Sequence, residues 1–338
     1  MNIFIDLYFP KLFNRKGKYA AASKARTDIC NLMQSIGFSK MKLSRFFYGK
    51  KLGNLELIIK TQLLRFRVRK TDVVFVQYPM MHIKVFDFCY KAICKARTIA
   101  LVHDIESYRK YDIYKLRSKE INHLNAFSCL IVHTNSMRER LMNDGVKTPM
   151  IVLEVFDYLL PLDMNCFHSG QEIVFAGALA KSVYLKEMDN MSLKSVYNLY
   201  SAFKPETKNP YLIYKGKFSP NDISTIQGGW GLIWDGDSIE TCTGQFGEYL
   251  RLISPHKCSL YIAAKLKVIA WEESAIAPFV IKYNIGITIK GISEIDEKLS
   301  KLSMDEISIM DKNVSELSEK LRKGTFFCEA FSKALQIV

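Results

Sequence analysis

No run of apolar residues in the 338-residue chain approaches the roughly 18 that a membrane-crossing helix needs, so no transmembrane helix is expected. The eight cysteines, at 30, 89, 94, 129, 166, 242, 258 and 328, form no C-x-x-C pair and no zinc-ligand spacing. That argues against a disulfide framework and against structural zinc. Several of the cysteines fall inside apolar runs, as buried free thiols do, and the expected compartment is a reducing cytoplasm. The opening Met1-Asn2-Ile3-Phe4-Ile5-Asp6 lacks the charged start of a signal peptide. No G-x-G-x-x-G follows the first strand, which speaks against a dinucleotide-dependent epimerase or dehydrogenase. Helix-turn-helix patterns and aromatic-rich RNA motifs are also missing, so no nucleic-acid partner is expected. Acidic residues are scarce at the start. Residues 1–70 hold 16 Lys/Arg against three acids (Asp6, Asp28 and Glu56), a net +13 out of +14 for the whole chain. So concentrated a basic face suits an anionic partner such as phospholipid or a pyrophosphate-linked lipid, unless it is only a solvated surface.

What is present is ample apolar material, 49% of residues with 12% aromatic, in a length suited to two domains. Short β-branched runs alternate with amphipathic stretches, which is the pattern of α/β layering. Strands are expected at 1–7, 73–76, 98–102, 128–132 and 150–155, with helices at 20–36, 54–68, 81–96, 120–126 and 136–144. A second series follows a linker at 156–170. Its strands are expected at 172–175, 211–214, 231–234, 268–270 and 286–289, and its helices at 258–264, 275–282 and from 292 onward. Two βα series predict two doubly wound domains facing each other across a cleft, with ligands beyond the carboxyl ends of the strands.

Several loops carry residues suited to chemistry. Ser254-Pro255-His256-Lys257-Cys258-Ser259 precedes an apolar helix. Its free N–H groups, with Lys257, His256 and Ser259, could cradle a pyrophosphate, or the segment is a plain capped helix start. His103-Asp104-Ile105-Glu106 follows a buried strand, where Asp104 or His103 could act as a general base, or Asp104 could cap the next helix. Ala176-Gly177-Ala178-Leu179-Ala180-Lys181-Ser182 offers a tight turn and a lysine, or a simple βα turn. Tyr19–Ala25, containing Ser23, opens the first helix with small residues and has Lys18, Lys24 and Arg26 nearby to attract anions, or is an alanine-rich helix start. Asp235-Gly236-Asp237 matches the letters of a metal-binding triplet but reads equally well as a turn, so no metal site is expected. Glu240 and Glu248, spaced E-x7-E, are taken as coincidence.

Taken in order along the chain, these stretches resemble the bacterial galactofuranosyltransferase / accessory-cluster glucosyltransferase group. The resemblance rests on Ala22-Ser23-Lys24-Ala25 with Asp28, Val102–Arg109, Val132-His133-Thr134-Asn135 with Met137, and Phe156-Asp157-Tyr158. It continues through Phe175–Ser182, Trp234-Asp235-Gly236, and Ser254–Ala264 running to Ile276-Ala277. It implies a GT-B fold, with a first domain over 1–158 on the acceptor side, a nucleotide-sugar-binding domain over 159–322, and a last helix over 323–338 that crosses back. It implies metal-independent transfer of a hexosyl unit, galactofuranose favoured, from a UDP-sugar to a glycan or lipid-linked acceptor, without a further cofactor. Glucose transfer from UDP-glucose to protein-linked GlcNAc and a non-catalytic anion-binding protein are the alternatives. Ser23, Lys181, Tyr214, His256, Lys257, Cys258, Ser259, Leu260 and Tyr261 are then the nucleotide-sugar residues, and Asp104 and His103 the catalytic ones. The chain departs from the group at Ala178, where Asn is usual, and at Lys265-Leu266-Lys267, where Gly-Leu-Pro is usual. Peripheral contact with the inner membrane face through residues 1–70 is expected, and a homo-oligomer is left open.

Overall fold

The computed structural model describes residues 2–5, 21–41, 50–79, 83–109, 114–166, 170–177, 179 and 182–338. The strands of the first half are β1 (Asn2–Ile5), β2 (Ser39–Lys40), β3 (Val73–Tyr78), β4 (Arg97–Val102), β5 (Cys129–Val132) and β6 (Met150–Val152). They form one parallel sheet in the order β2-β1-β3-β4-β5-β6. Strand β3, Val-Val-Phe-Val-Gln-Tyr, is buried at all six positions, as a strand covered by helices on both faces must be. Its apolar run therefore has no alternation to read. One face packs on the helices Lys50–Arg67 and Ile83–Ile93 through Leu64, Val68, Phe86 and Ile93. The other packs on the helix Ala21–Ser35.

The second half repeats the plan with β7 (Ile173–Ala176), β8 (Tyr197–Tyr200), β9 (Leu212–Gly216), β10 (Trp230–Ile233), β11 (Lys267–Trp271) and β12 (Gly286–Ile289). The order is β12-β11-β10-β7-β8-β9, again parallel throughout. Chain order reverses between β7 and β10. Sheets of this kind have their ligand crevice at such a reversal, beyond the carboxyl ends of the two strands.

The helix Met304–Lys323 starts on a capping box between Ser303 and Glu306 and packs on the second half through Val314, Leu317 and Leu321. It ends at Gly324, whose φ of 81° suits glycine. A Cβ there would also come within 2.3 Å of the Leu32 side chain. The chain then crosses, and the helix Thr325–Ile337 buries Phe327, Ala330, Phe331 and Ala334 against the first sheet. Phe75 of β3 meets Phe327 and Phe331 edge-on at 5.5 Å each. Asp157 fixes the start of this helix by accepting the N–H groups of Phe326 and Phe327.

Strand β8 and the helix Gly244–Leu250 were not foreseen, and neither were β2 and the one-turn helices Glu106–Arg109 and Leu185–Met188. Strand β8 is Tyr-Asn-Leu-Tyr, with a polar residue inside and no strong β-branched run, and its place depends on pairing with β7 and β9. The short helix Gly244–Leu250 carries two glycines, which lowers its intrinsic propensity.

Candidate functional site

The helix His256–Ala263 starts without a side-chain cap, since Pro255 occupies the capping position. The Cys258 N–H is taken by the Pro255 carbonyl at 2.8 Å. The N–H groups of His256 and Lys257, in the first turn, have no intrahelical acceptor. Lys257 places its ammonium in the crevice between β7 and β10. Nζ donates to the Trp234 carbonyl at 3.1 Å and to Asp235 Oδ1 at 2.9 Å, and it lies 4.4 Å from the centre of the Phe175 ring. Gly177 follows β7, and a Cβ there would stand 3.1 Å from Lys257 Cε. The glycine thus makes room for the lysine side chain. An ammonium has three donors, and two of them are used in these contacts. Asp235 is held by Lys257, and Gly236 turns at φ 133° against the Thr243 backbone. Among the described residues no three His, Cys, Asp or Glu side chains gather as a metal site.

His256 faces the first domain. Its ring is 4.6 Å from that of Phe156, which in turn lies 5.3 Å from His103 and 4.7 Å from His133. Three imidazoles therefore surround one buried phenylalanine where the two sheets meet. Burial pushes His256 down to about 4, helped by the nearby Arg26 charge, and pushes His133 down to about 3, helped by His256. All three stay neutral near pH 7; His103 is likewise driven well below the usual imidazole range by burial and by Arg26. The Gln77 amide nitrogen donates to the Arg26 carbonyl, so its oxygen faces His103, whose Nε2–H donates to it at 2.7 Å. His133 Nδ1 accepts the Ser254 N–H at 3.3 Å, and Thr134 Oγ1 donates to the Leu252 carbonyl at 2.7 Å. These two bonds tie the loop after β5 to the segment leading into the His256 helix.

Asp104, beyond β4, sits under the second domain. Arg109 Nη1 is 3.0 Å from Oδ2, and the Tyr249 hydroxyl donates to Oδ1 at 3.3 Å while accepting the Ile105 N–H at 3.1 Å. Burial raises the Asp104 carboxyl above its ordinary value, opposed mainly by Arg109. The capping role considered for Asp104 belongs to Glu120, which accepts the N–H groups of Glu106 and Ser107.

Other anticipated residues fall differently. Cys258 and Tyr261 are fully buried in the second core. The Tyr261 hydroxyl accepts the Ala176 N–H and donates to the Leu232 carbonyl, bridging β7 and β10 over Gly231. Leu260 is buried in the same core. These three side chains pack into the second core, as an apolar helix face turned to the sheet must. Ser259 is also buried, and its hydroxyl has no hydrogen-bond partner among the described residues. Tyr214 lies on edge strand β9, two strands out from β7, and donates to the Ser201 carbonyl at 3.0 Å. Lys24 is a structural pin rather than an anion lure. It is buried, pairs with Asp28 at 2.6 Å and donates to the Leu159 carbonyl. Lys181 lies outside the described residues; Ser23 is in the helix Ala21–Ser35. Glu240 and Glu248 serve separate places, Glu240 with its backbone against Gly291 and Glu248 paired to Arg251.

Residues 9–155 match the N-terminal domain, and residues 173–334 the C-terminal domain, of the glucosyltransferase 3-like proteins. The chain belongs to the glucosyltransferase 3-like family. Within reach of the family lie two curated relatives. The β-1,6-galactofuranosyltransferase WbbI of Escherichia coli (strain K12) is 26% identical over 96% of both chains. Glucosyltransferase 3 of Streptococcus gordonii is 24% identical over 93% of this chain and 94% of its own. Among solved structures, HepE of Anabaena in complex with UDP and glucose superposes with a TM-score of 0.61 at 12% identity, covering 100% of this chain and 99% of that one. Trehalose-6-phosphate synthase OtsA gives a TM-score of 0.59 at 9% identity, covering 100% and 99%. The fold of this family member is GT-B, two Rossmann-like domains about a cleft.

Two residues at the cleft were not singled out from sequence. Arg26 was read only as one of several bases near a helix start. It is buried, donates to the Pro79 carbonyl at 2.7 Å and sets the charge felt by His103 and His256. Tyr249 left no trace in the sequence, since nothing marks a tyrosine on a short helix as reaching across a cleft.

Proposed function

We propose that this glycosyltransferase moves a hexosyl unit, galactofuranose favoured, from a UDP-sugar to a glycan acceptor in bacterial surface polysaccharide synthesis. The single observation that carries the reading is Lys257 in the crevice of the second sheet, on the first turn of a helix whose first N–H groups have no intrahelical acceptor. There the diphosphate meets the ammonium, and the developing charge of the leaving UDP is stabilised by Lys257, by the His256 and Lys257 N–H groups and by the helix dipole, with no metal required. Ser23 and Lys181 complete the donor site in this proposal. Asp104 deprotonates the acceptor hydroxyl from the first domain. Its raised affinity for a proton suits a base, whereas burial lowers that of His103, whose Nε2–H donates to the Gln77 side-chain oxygen. The donor side is assigned to residues 159–322, the acceptor side to 1–158, with 323–338 bracing the first sheet.

The family name and the two curated relatives favour different sugars, galactofuranose in WbbI and the glucose of a glucosyltransferase in the streptococcal protein. WbbI is the slightly more similar over a slightly longer span, which is the ground for favouring galactofuranose. Glucosyl transfer to protein-linked GlcNAc is the second reading. The basic start of the chain suits a lipid-linked acceptor at the inner membrane face. Incubation with UDP-galactofuranose, UDP-galactose, UDP-glucose, UDP-GlcNAc and GDP-mannose, with products resolved by mass and by sugar analysis, tests the assignment. Transfer from UDP-galactofuranose alone supports it, transfer from UDP-glucose alone favours the second reading, and no donor hydrolysis or transfer at all contradicts both.

A further inference from the structure

The helix Lys50–Arg67 has two apolar faces where a domain helix needs one. Leu64 and, just past its end, Val68 bury one face against the first sheet's helical layer. On the opposite side, Leu55, Ile59, Leu63 and Phe66 are 54%, 54%, 59% and 85% exposed. Their spacing of four, four and three residues puts them in a single stripe along the helix. Isolated exposed leucines are ordinary, but a four-residue stripe ending in a phenylalanine that stands almost free in solvent is not. The charge along the segment that carries the stripe is mostly of one sign. Residues 50–70 contain Lys50, Lys51, Lys60, Arg65, Arg67, Arg69 and Lys70 against the single acid Glu56. Lys95 joins them by donating to the Arg65 carbonyl at 2.6 Å.

We infer that this helix docks the protein on an anionic phospholipid surface, lying in the plane of the interface with Leu55, Ile59, Leu63 and Phe66 among the acyl chains and the surrounding lysines and arginines at the headgroups. The inference deepens the membrane-surface reading given above and supplies its anchor. An apolar stripe with a basic surround is what an interfacial helix presents to anionic lipid. No described helix is long and apolar enough to cross the bilayer, so the contact is with its surface. The occupant is lipid rather than a second copy of the chain. Two copies meeting through this stripe would oppose their own basic residues across the contact, whereas a phosphatidylglycerol surface neutralises them. Because the stripe lies on the first domain, docking brings that domain to the membrane, where a lipid-linked acceptor would lie.

Cosedimentation of the full chain with vesicles of mixed phosphatidylglycerol and phosphatidylcholine, and with vesicles of phosphatidylcholine alone, tests the inference. Two variants accompany it, Leu63→Ser/Phe66→Ser and Arg67→Glu/Lys70→Glu, both at exposed positions. The wild type is expected to pellet with the mixed vesicles and stay in solution with phosphatidylcholine alone, with each variant weakened at least about tenfold. UDP binding, measured by calorimetry on the same samples, reports whether the variants fold and keeps this test separate from the donor reading. The inference is overturned by a wild type that ignores the anionic vesicles, by equal binding to both vesicle types, or by folded variants that bind as well as wild type. It is also overturned if sedimentation velocity shows the serine variant dissociating a dimer that does not bind vesicles.

Discussion

Asp104 has an environment suited to holding a carboxylate charge and then accepting a proton. Burial raises its pKa, Arg109 opposes that rise as the ion-pair partner, and Tyr249 donates to the carboxylate. A group with a raised pKa acts as a base only above that value. The limb of kcat against pH is therefore expected to rise above the ordinary carboxylate range, with activity lost as pH falls through it. Asp104→Asn keeps the shape and removes the basicity. It is expected to lower kcat by about 10²–10⁴ while leaving UDP affinity within about twofold; full turnover in that variant would remove Asp104 as the base. Tyr249→Phe deletes a donor to the carboxylate, which disfavours the charged form. Its acidic limb is expected to move to higher pH, by up to about one unit, and an unmoved limb would mean that the hydroxyl does not tune Asp104. His103-Asp104 and Pro255-His256-Lys257 were legible as candidates because each follows an apolar strand or opens an apolar helix. Their partners Arg26 and Tyr249 were not, because those contacts join residues far apart in the chain and carry no local pattern.

Elements show the same division between local and distant causes. Strands β3, β4, β5, β7 and β11 are recognisable because continuous apolar runs bounded by turns have few other uses in an α/β chain. Strand β8 escaped because Asn198 interrupts it, and its amide is held by the Gln227 carbonyl, a contact that exists only in the folded sheet. The end of the His256–Ala263 helix explains one departure from the resembling group. Lys265 and Leu266 close it by donating to Ile262 and Tyr261, the double bond pattern that places a left-handed residue after the cap. That residue is Lys265, at φ 58°, where the group usually has glycine. The departure therefore concerns backbone conformation at the end of the helix away from Lys257. Lys265→Gly is expected to stabilise the protein by about 1 kcal/mol in chemical denaturation, and a destabilised variant would show that the lysine side chain outweighs its backbone strain.

At the scale of the whole molecule, the second domain is framed by its own helices, but the first is completed by the end of the chain. Phe327 and Phe331 fill the first sheet's core, and Asp157 holds the N-terminus of their helix. Phe327 is fully buried, so Phe327→Ala is expected to destabilise the protein by about 3–5 kcal/mol. Followed by urea unfolding with probes in each half, the loss should appear first in the half built on β1–β6. Loss confined to the other half would contradict the crossing. Two βα series read from the chain implied two facing sheets, and the sheet order adds what periodicity cannot reach: the reversal between β7 and β10 that opens the crevice at Gly177, Trp234 and Lys257.

In the proposed donor site, this crevice holds the donor's diphosphate through Lys257. Isothermal calorimetry of UDP against the wild type and Lys257→Ala tests it most directly. Saturable UDP binding by the wild type is expected, weakened at least about tenfold in the folded variant by loss of a charge-assisted contact. Equal UDP affinity in the two proteins would contradict it.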